Sequence, residues 1–150
     1  MKKLTFLIYF LPLFSYSQKD ISKDLFVLFY NVENLFDTIN NELTEDDSFL
    51  PTSDKKYDSK KYQYKLNQIG RVIDSIKFYN DNKLPDIIGL CEVENIKVIK
   101  KLLEEPAFEN QKFKIIHKDS PDARGIDCAL LINNNLEIIE KDFIKILNPD

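Results

Sequence analysis

Apolar and polar positions along this chain follow a strand-like pattern in five segments and a helical pattern in one. Apolar, β-branched and aromatic runs predict strands at residues 24–32, 86–91, 113–117, 126–133 and 136–147. Between the first two runs, apolar residues recur at spacings of four and three, which predicts a helix over 59–79 with one face on a core. The apolar face consists of Tyr62, Leu66, Ile69, Ile73 and Ile76.

Capping residues and connections complete the predicted order of elements. Ser59 is a candidate cap for the long helix, and Asn95 is one for a second helix over 96–105. Residues 35–59 are acidic and poor in apolar side chains, which predicts a long surface loop with one helical turn at most. A tight turn at 133–135 joins the last two strands as a hairpin. This order predicts an α/β layered domain with a mixed sheet.

Polar side chains cluster at the ends of three predicted strands. Ligands of α/β sheets gather outside the carboxyl ends of strands, and a carboxylate that directly follows a buried strand is costly unless something binds it. Carboxylates suit Mg²⁺, an amide can hold a phosphate oxygen, and an arginine matches the phosphate fork. The pattern indicates metal-assisted phosphoester hydrolysis, with solvated carboxylates and structural ion pairs as the alternative. The residues concerned are Asn31, Glu33, Glu92, Glu94, Asp122, Arg124 and Asp127.

Three segments resemble consecutive motifs of one family. They are FYNVENLFD at 29–37, PDIIGLCEVEN at 85–95 and DSPDARGIDCALLIN at 119–133. Together they resemble the endonuclease/exonuclease/phosphatase superfamily, which has the DNase I-like fold, in an exported bacterial branch. The resemblance implies a layered sandwich of mixed β-sheets flanked by helices, of which this chain would supply the first half.

The resemblance also implies roles for individual residues. Asn31 would be the active-site amide and would share the metal with Glu92, the metal-ligating glutamate. Arg124 and Asp127 fall in the RGID motif on the substrate side. For Arg124, phosphate binding and an ion pair with Asp122 or Asp127 are equal alternatives. Asp127 is expected to hold the loop or Arg124 rather than to bind the metal. The implied cofactor is Mg²⁺, with Mn²⁺ or Ca²⁺ as alternatives, and the implied partner is nucleic acid or another phosphoester.

Several motifs of that family are missing from this chain. The family's Ser-Asp-His and Asp-x-Asn motifs and a further catalytic histidine have no counterpart, and the single histidine, His117, falls in a different motif. We therefore expect residues 18–150 to be the N-terminal part of a longer enzyme. The expected activity is phosphodiester or phosphomonoester hydrolysis, and the alternative is an inactive fragment or a binding module. One sheet face would lack a partner and would expose Ile87, Leu90, Leu130 and Ile132.

The N-terminus and the composition add expectations about location and redox state. Two lysines, an apolar stretch over 4–14 and a small-x-small pattern at 15–17 predict a signal peptide over 1–17, too short for a stable membrane anchor. Export to the periplasm or the extracellular space follows. The net charge of −4 gives no sign of a basic surface for nucleic acid. A disulfide between Cys91 and Cys128 is permitted after export, but free, buried cysteines are the favoured expectation.

Overall fold

A computed structural model describes residues 24–144 of the chain, which form a four-stranded sheet and two helices. The predicted signal peptide over 1–17 and positions 145–147 of the last predicted strand lie outside this part of the chain. No helix in this part is long and apolar enough to cross a membrane. The elements are β1 (Val27–Leu35), α1 (Ser59–Ile76), β2 (Ile87–Val93), α2 (Ile96–Leu102), β3 (Phe113–His117) and β4 (Asp127–Asn133). Short 3₁₀ turns lie at Asp47–Phe49, Lys77–Tyr79 and Pro106–Phe108.

The sheet is mixed, with the strand order β1-β2-β4-β3. β1 and β2 run parallel, and α1 lies in the crossover between them, as parallel neighbours require. β4 is antiparallel to both β2 and β3. The predicted α/β class with a mixed sheet is therefore confirmed. β2 is a central strand, so its residues at the carboxyl end have neighbours on both sides.

One face of the sheet is covered by the two helices. The alternation of side chains places Ile88, Leu90, Ala129 and Leu131 on this face, where all four are buried. The helices add their own apolar faces to this core. Their buried members are Leu66, Ile69 and Ile73 from α1 and Val98, Ile99 and Leu102 from α2.

The opposite face, here called the open face, carries fewer buried side chains. Phe29 is 73% exposed and lies flat over Gly89, where an added Cβ would come within 2.5 Å of its ring. The expectation that Leu90 and Ile132 would be exposed with Ile87 and Leu130 is wrong. Leu90 is 1% exposed because it belongs to the covered face, and Ile132 is 8% exposed.

The sequence pattern predicted both helices correctly, and the predicted and observed helix ends differ by a few residues. Asp58 caps α1, because its side chain accepts hydrogen bonds from the backbone N–H groups of Lys60 and Lys61, so the prediction of Ser59 was one residue late. Asn95 caps α2 as predicted. α2 ends at Leu102, earlier than the predicted 105, and a 3₁₀ turn follows.

Two other expectations needed correction. Residues 136–144 form no strand, so the predicted hairpin partner of β4 is absent from the described residues. The long loop after β1 is more than a solvated connection, since Phe36, Phe49 and Tyr57 pack together within it. The rings of Phe36 and Phe49 stack at 4.1 Å between centroids. These aromatic residues are far apart in the loop and show no periodicity, which is why the sequence pattern did not reveal the cluster.

Candidate active site at the ends of β1 and β2

The parallel pair β1 and β2 becomes irregular at its carboxyl ends. Asn31 lies opposite Cys91 and Leu35 opposite Val93, so three residues of β1 face a single residue of β2, Glu92. Glu33, Asn34 and Glu92 have positive φ angles of 55°, 62° and 64°. Such angles are uncommon for residues other than glycine and cluster at functional sites. All three residues lie where β1 and β2 reach their carboxyl ends.

Asn31 and Glu92 meet directly at this end. The Asn31 side-chain Nδ2 donates to Glu92 Oε1 at 2.9 Å, and the backbone N–H of Asn34 donates to Glu92 Oε2 at 3.0 Å. The Asn31 Oδ1 in turn accepts from the backbone N–H of Glu33 at 2.8 Å. Each carboxylate oxygen is thus held by one donor and keeps a second lone pair free. The two predicted metal-site residues are therefore brought together, in a fixed orientation.

A lysine from α1 completes this end of the sheet. Lys65 Nζ donates to the backbone carbonyl of Glu33 at 2.6 Å. Burial lowers the pKa of Lys65, while the neighbouring carboxylates of Glu33 and Glu92 act in the opposite direction. Sequence analysis missed this residue, because it lies off the apolar face of α1 and nothing local links it to β1. Its ammonium group neutralises part of the negative charge around Glu92.

Arg124 lies in the loop before β4 and is bound to its neighbour Asp122. The guanidinium forms a fork with the carboxylate, with Nε–Oδ1 at 3.1 Å and Nη2–Oδ2 at 2.9 Å. This contact raises the pKa of Arg124, to which Glu92 also contributes, and lowers the pKa of Asp122. Of the alternatives for Arg124, the structure displays the ion pair with Asp122. The side chain is 59% exposed, so the pair is open to solvent.

Asp127 faces the covered side of the sheet, away from Asn31. Its Oδ2 lies 2.8 Å from His117 Nε2, and its Oδ1 accepts from the backbone N–H of Ser120 at 2.7 Å. Asp127 thus anchors the loop that carries Arg124. Within residues 24–144, His117, Asp119 and Asp127 form the only group of three His, Cys, Asp or Glu side chains whose ligand atoms lie within 4.8 Å of one another. This group is a second place where a metal could bind.

Glu94 lies two residues beyond Glu92 but in a different environment. It is 7% exposed and accepts from the backbone N–H of Asp37 at 2.7 Å, so it is not one of the solvated carboxylates that the alternative interpretation of the strand ends allowed. Burial raises the pKa of Glu94 to about 7, with further contributions from the charges of Asp37 and Asp46. Burial also raises the pKa of Tyr57 to about 12, and the charge of Glu94 adds to this. Sequence analysis had no signal for this burial, which the aromatic loop creates.

The side chains around Glu92 suit a hard divalent cation. Mg²⁺ binds through one or two carboxylates, keeps several waters and takes phosphate oxygens as further ligands. Glu92 has free lone pairs on both oxygens, and Glu33 places a second carboxyl group on the adjacent bulge. No sulfur or imidazole ligand is needed for such an ion. The donor set therefore fits Mg²⁺ with Glu92 as the principal ligand.

Comparison with known families gives a match that spans most of the chain. Residues 26–149 match the model of the Endonuclease/Exonuclease/phosphatase family, and the match includes every residue of the site described above. Searches of curated proteins and of solved structures returned no significant match. The family match covers well over half of the chain and includes all four strands.

Proposed function

The chain belongs to the endonuclease/exonuclease/phosphatase family, which implies hydrolysis of phosphoester bonds, and we propose that it is an exported, Mg²⁺-dependent nuclease or phosphatase. The observation that carries this proposal is the contact between Asn31 and Glu92 at the carboxyl ends of two parallel strands. Members of the family are generally dependent on divalent metals. The proposed substrate is a phosphodiester or phosphomonoester, in nucleic acid or in a smaller molecule.

Each residue of the site has a separate task in this proposal. Glu92 would hold the cation, which when bound supplies Lewis-acid polarisation of a phosphoryl oxygen. Asn31 orients the Glu92 carboxylate through Nδ2, and the backbone N–H of Asn34 holds its other oxygen. Both oxygens are therefore fixed before a cation arrives, which reduces the entropy cost of binding.

Two cationic side chains would receive the phosphate. Lys65 and Arg124 both lie close enough to Glu92 to interact electrostatically with it. Arg124 would exchange its carboxylate partner Asp122 for a phosphate, which has the same bidentate geometry. Because the Arg124 pair is exposed, this exchange needs little additional desolvation. A net charge of −4 does not oppose the proposal, since the cation and these two groups supply local positive charge.

The proposal is tested by cation binding and by turnover. We expect Mg²⁺ to bind the chain in isothermal titration calorimetry. Glu92→Gln should weaken binding by more than the roughly 10–100-fold that loss of an orienting residue costs, because it removes the proposed ligand itself. Glu94→Gln is the matched control, because it removes a carboxylate only two residues further along the chain, just after the end of β2. Hydrolysis of a chromogenic phosphodiester should require Mg²⁺ and should be lost in Glu92→Gln. Turnover that survives both chelation and this substitution would contradict the proposal.

A non-catalytic binding module is the second candidate function. One observation favours it: the single histidine of the chain has its Nε2 bound to Asp127 on the covered side of the sheet, away from Asn31. Among the described residues, no imidazole is therefore placed to act as a general base beside Glu92. The two candidates differ in one result, since a binding module would take up Mg²⁺ with the Glu92 dependence described above but would show no turnover.

Export is a separate part of the proposal. It is supported by the sequence of residues 1–17, which has the charged, apolar and small-residue regions of a signal peptide. Expression in a bacterial host followed by fractionation should place the chain outside the cytoplasm, with a new N-terminus after Ser17. Mutation of the two N-terminal lysines and the apolar stretch should return the chain to the cytoplasm.

A further inference from the structure

The two cysteines of the chain lie directly opposite each other in the sheet. Cys91 on β2 pairs with Cys128 on β4 in the antiparallel ladder. The chain contains no other cysteine. Both are free thiols, Cys91 half-buried and Cys128 exposed, so the expectation that both are buried is wrong. They are 37 positions apart in sequence, and only the pairing of β2 with β4 brings them together.

The type of pair they form follows from the hydrogen bonds at the start of the ladder. The backbone N–H of Asn133 donates to the carbonyl of Asp86 at 2.9 Å, which identifies a hydrogen-bonded position. Hydrogen-bonded and non-hydrogen-bonded positions alternate along an antiparallel ladder. The register runs without a shift from Ile87 opposite Ile132 to Cys91 opposite Cys128. Cys91 and Cys128 are five positions from Asp86 and Asn133 and therefore form a non-hydrogen-bonded pair.

This position suits a disulfide. In non-hydrogen-bonded pairs the two Cα atoms are about 4.5 Å apart and the side chains are closer than in the alternate pairs. Disulfides span Cα distances of about 4.4–6.8 Å. Both side chains project on the same side of the sheet, as directly paired residues must. The two thiols are also close enough to interact electrostatically. Backbone movement is thus not required to join them.

We propose that Cys91 and Cys128 are a disulfide-forming pair that links β2 to β4 when a disulfide oxidant is present. The Cys128 thiol loses its proton to solvent and attacks one sulfur of the oxidant, whose S–S bond breaks and releases one thiolate. The Cys91 thiol then loses its proton to solvent, and its thiolate attacks Cys128 Sγ, which forms the intramolecular S–S bond and releases the second thiolate. The two released thiolates take up two protons from solvent. The two cysteines lose two electrons in total, and the oxidant disulfide is reduced to two thiols.

The link would stabilise the sheet next to the candidate site. Cys91 immediately precedes Glu92 and lies opposite Asn31 on its other side, so the three residues Asn31, Cys91 and Cys128 form one row across the strands. A covalent bond in this row would limit separation of β2 from β4 where the bulge at Glu92 interrupts the ladder. The proposal depends only on the sheet register and is independent of the proposed phosphoesterase activity.

The test is a redox titration of the reduced chain with glutathione and glutathione disulfide, read by intact mass after an acid quench. We expect the folded chain to lose two hydrogen atoms, to resist alkylation and to yield a peptide in which Cys91 is joined to Cys128. We also expect the equilibrium constant for closure to fall at least about tenfold in concentrated urea, where the pairing of the strands no longer holds the thiols together. The oxidised chain should unfold at a higher urea concentration than the reduced chain.

Variants separate closure from ordinary thiol reactivity. Cys91→Ser and Cys128→Ser should each gain a single glutathione instead of losing hydrogen. The double variant Cys128→Ser, Leu130→Cys moves one thiol two residues along the same face, to a diagonal position about 7–8 Å from Cys91, and should not close. The proposal is overturned if the folded chain keeps two thiols, takes up two glutathiones or forms disulfide-linked dimers. Equal closure in urea, or equal closure by the shifted double variant, would also overturn it.

Discussion

Glu92 and Glu94 are two residues apart at the end of one strand, yet they have opposite environments. Glu92 is half-buried, and an amide and a backbone N–H hold its two oxygens while a lysine and an arginine lie nearby. Glu94 is 7% exposed among aromatic side chains and other carboxylates, so burial raises its pKa to about 7. The two carboxylates show that the position of a residue along a strand does not by itself set the environment of its side chain. We propose that Glu92 binds a cation, whereas the burial of Glu94 favours its protonated form.

The largest expected effect concerns the pH dependence of stability through Glu94. Its pKa rises from 4.5 to about 7 on folding, so the folded state favours the protonated carboxyl. The stabilisation is complete below pH 4.5 and is lost as the pH rises to 7, by about 3 kcal/mol at most since each pKa unit corresponds to about 1.4 kcal/mol. Glu94→Gln should remove this dependence. Urea unfolding across this pH range measures it.

The difference between the two proteins is the informative quantity, because it cancels the contributions of all the groups that both proteins share. Asp58 and Asp122 have lowered pKa values in the folded chain, so both stay ionised across this range and their contribution falls only below the usual aspartate pKa of 3.8. Subtraction of the Glu94→Gln curve from the wild-type curve leaves the contribution of Glu94. Parallel curves for the two proteins would show that Glu94 titrates normally and would remove the contrast with Glu92.

The next effect concerns the orientation of Glu92. Asn31→Ala removes the donor to Glu92 Oε1 and the acceptor for the Glu33 backbone N–H, so the carboxylate loses its fixed position. We expect Mg²⁺ affinity to fall by about tenfold, the lower end of the range for residues that orient a metal ligand. Calorimetric titration measures it. Asn110→Ala is the control, since Asn110 is exposed and its side chain makes no hydrogen bond within the described residues.

A smaller effect is expected from the residue that follows Glu94. The Asn95 Oδ1 accepts from the backbone N–H groups of Lys97 at 2.7 Å and Val98 at 3.1 Å, which caps α2. Asn95→Ala should reduce the free energy of unfolding by about 1 kcal/mol. Asn95→Asp should keep most of it, because a carboxylate accepts the same bonds. If the two variants are equally destabilised in urea, the role of Asn95 is not capping.

The smallest effect on stability should come from Arg124. Its ion pair with Asp122 is exposed, and such pairs contribute little because water and salt screen them. We expect Arg124→Ala to leave the urea midpoint unchanged but to raise the KM for a phosphodiester substrate, as loss of a phosphate contact does. Arg124→Lys should restore part of the affinity. A shifted midpoint together with an unchanged KM would assign Arg124 to the fold alone.

Local pattern predicted the elements of the fold because hydrophobic period and capping are properties of neighbouring residues. The apolar face of α1, the cap at Asn95 and the strand before Glu92 were all identified from the sequence. The predicted strand over 136–147 was wrong for positions 136–144, where apolar residues follow β4 without strand pairing. An apolar run predicts burial more reliably than it predicts which partner strand will accept it.

Local sequence pattern was sufficient to predict the α/β class, the two helices and the cap at Asn95. It also predicted that Asn31 and Glu92 lie at the ends of strands. Three features depend on tertiary contacts: the bulge with positive φ angles that joins these two side chains, the hydrogen bond from Lys65 to the Glu33 carbonyl, and the burial of Glu94. Tertiary contacts also decided the register that sets Cys91 opposite Cys128. The physical reason is that each of these contacts joins residues more than 30 positions apart, or depends on such a contact. Residue periodicity encodes which face a side chain occupies, whereas strand register and loop packing determine which distant residue it meets.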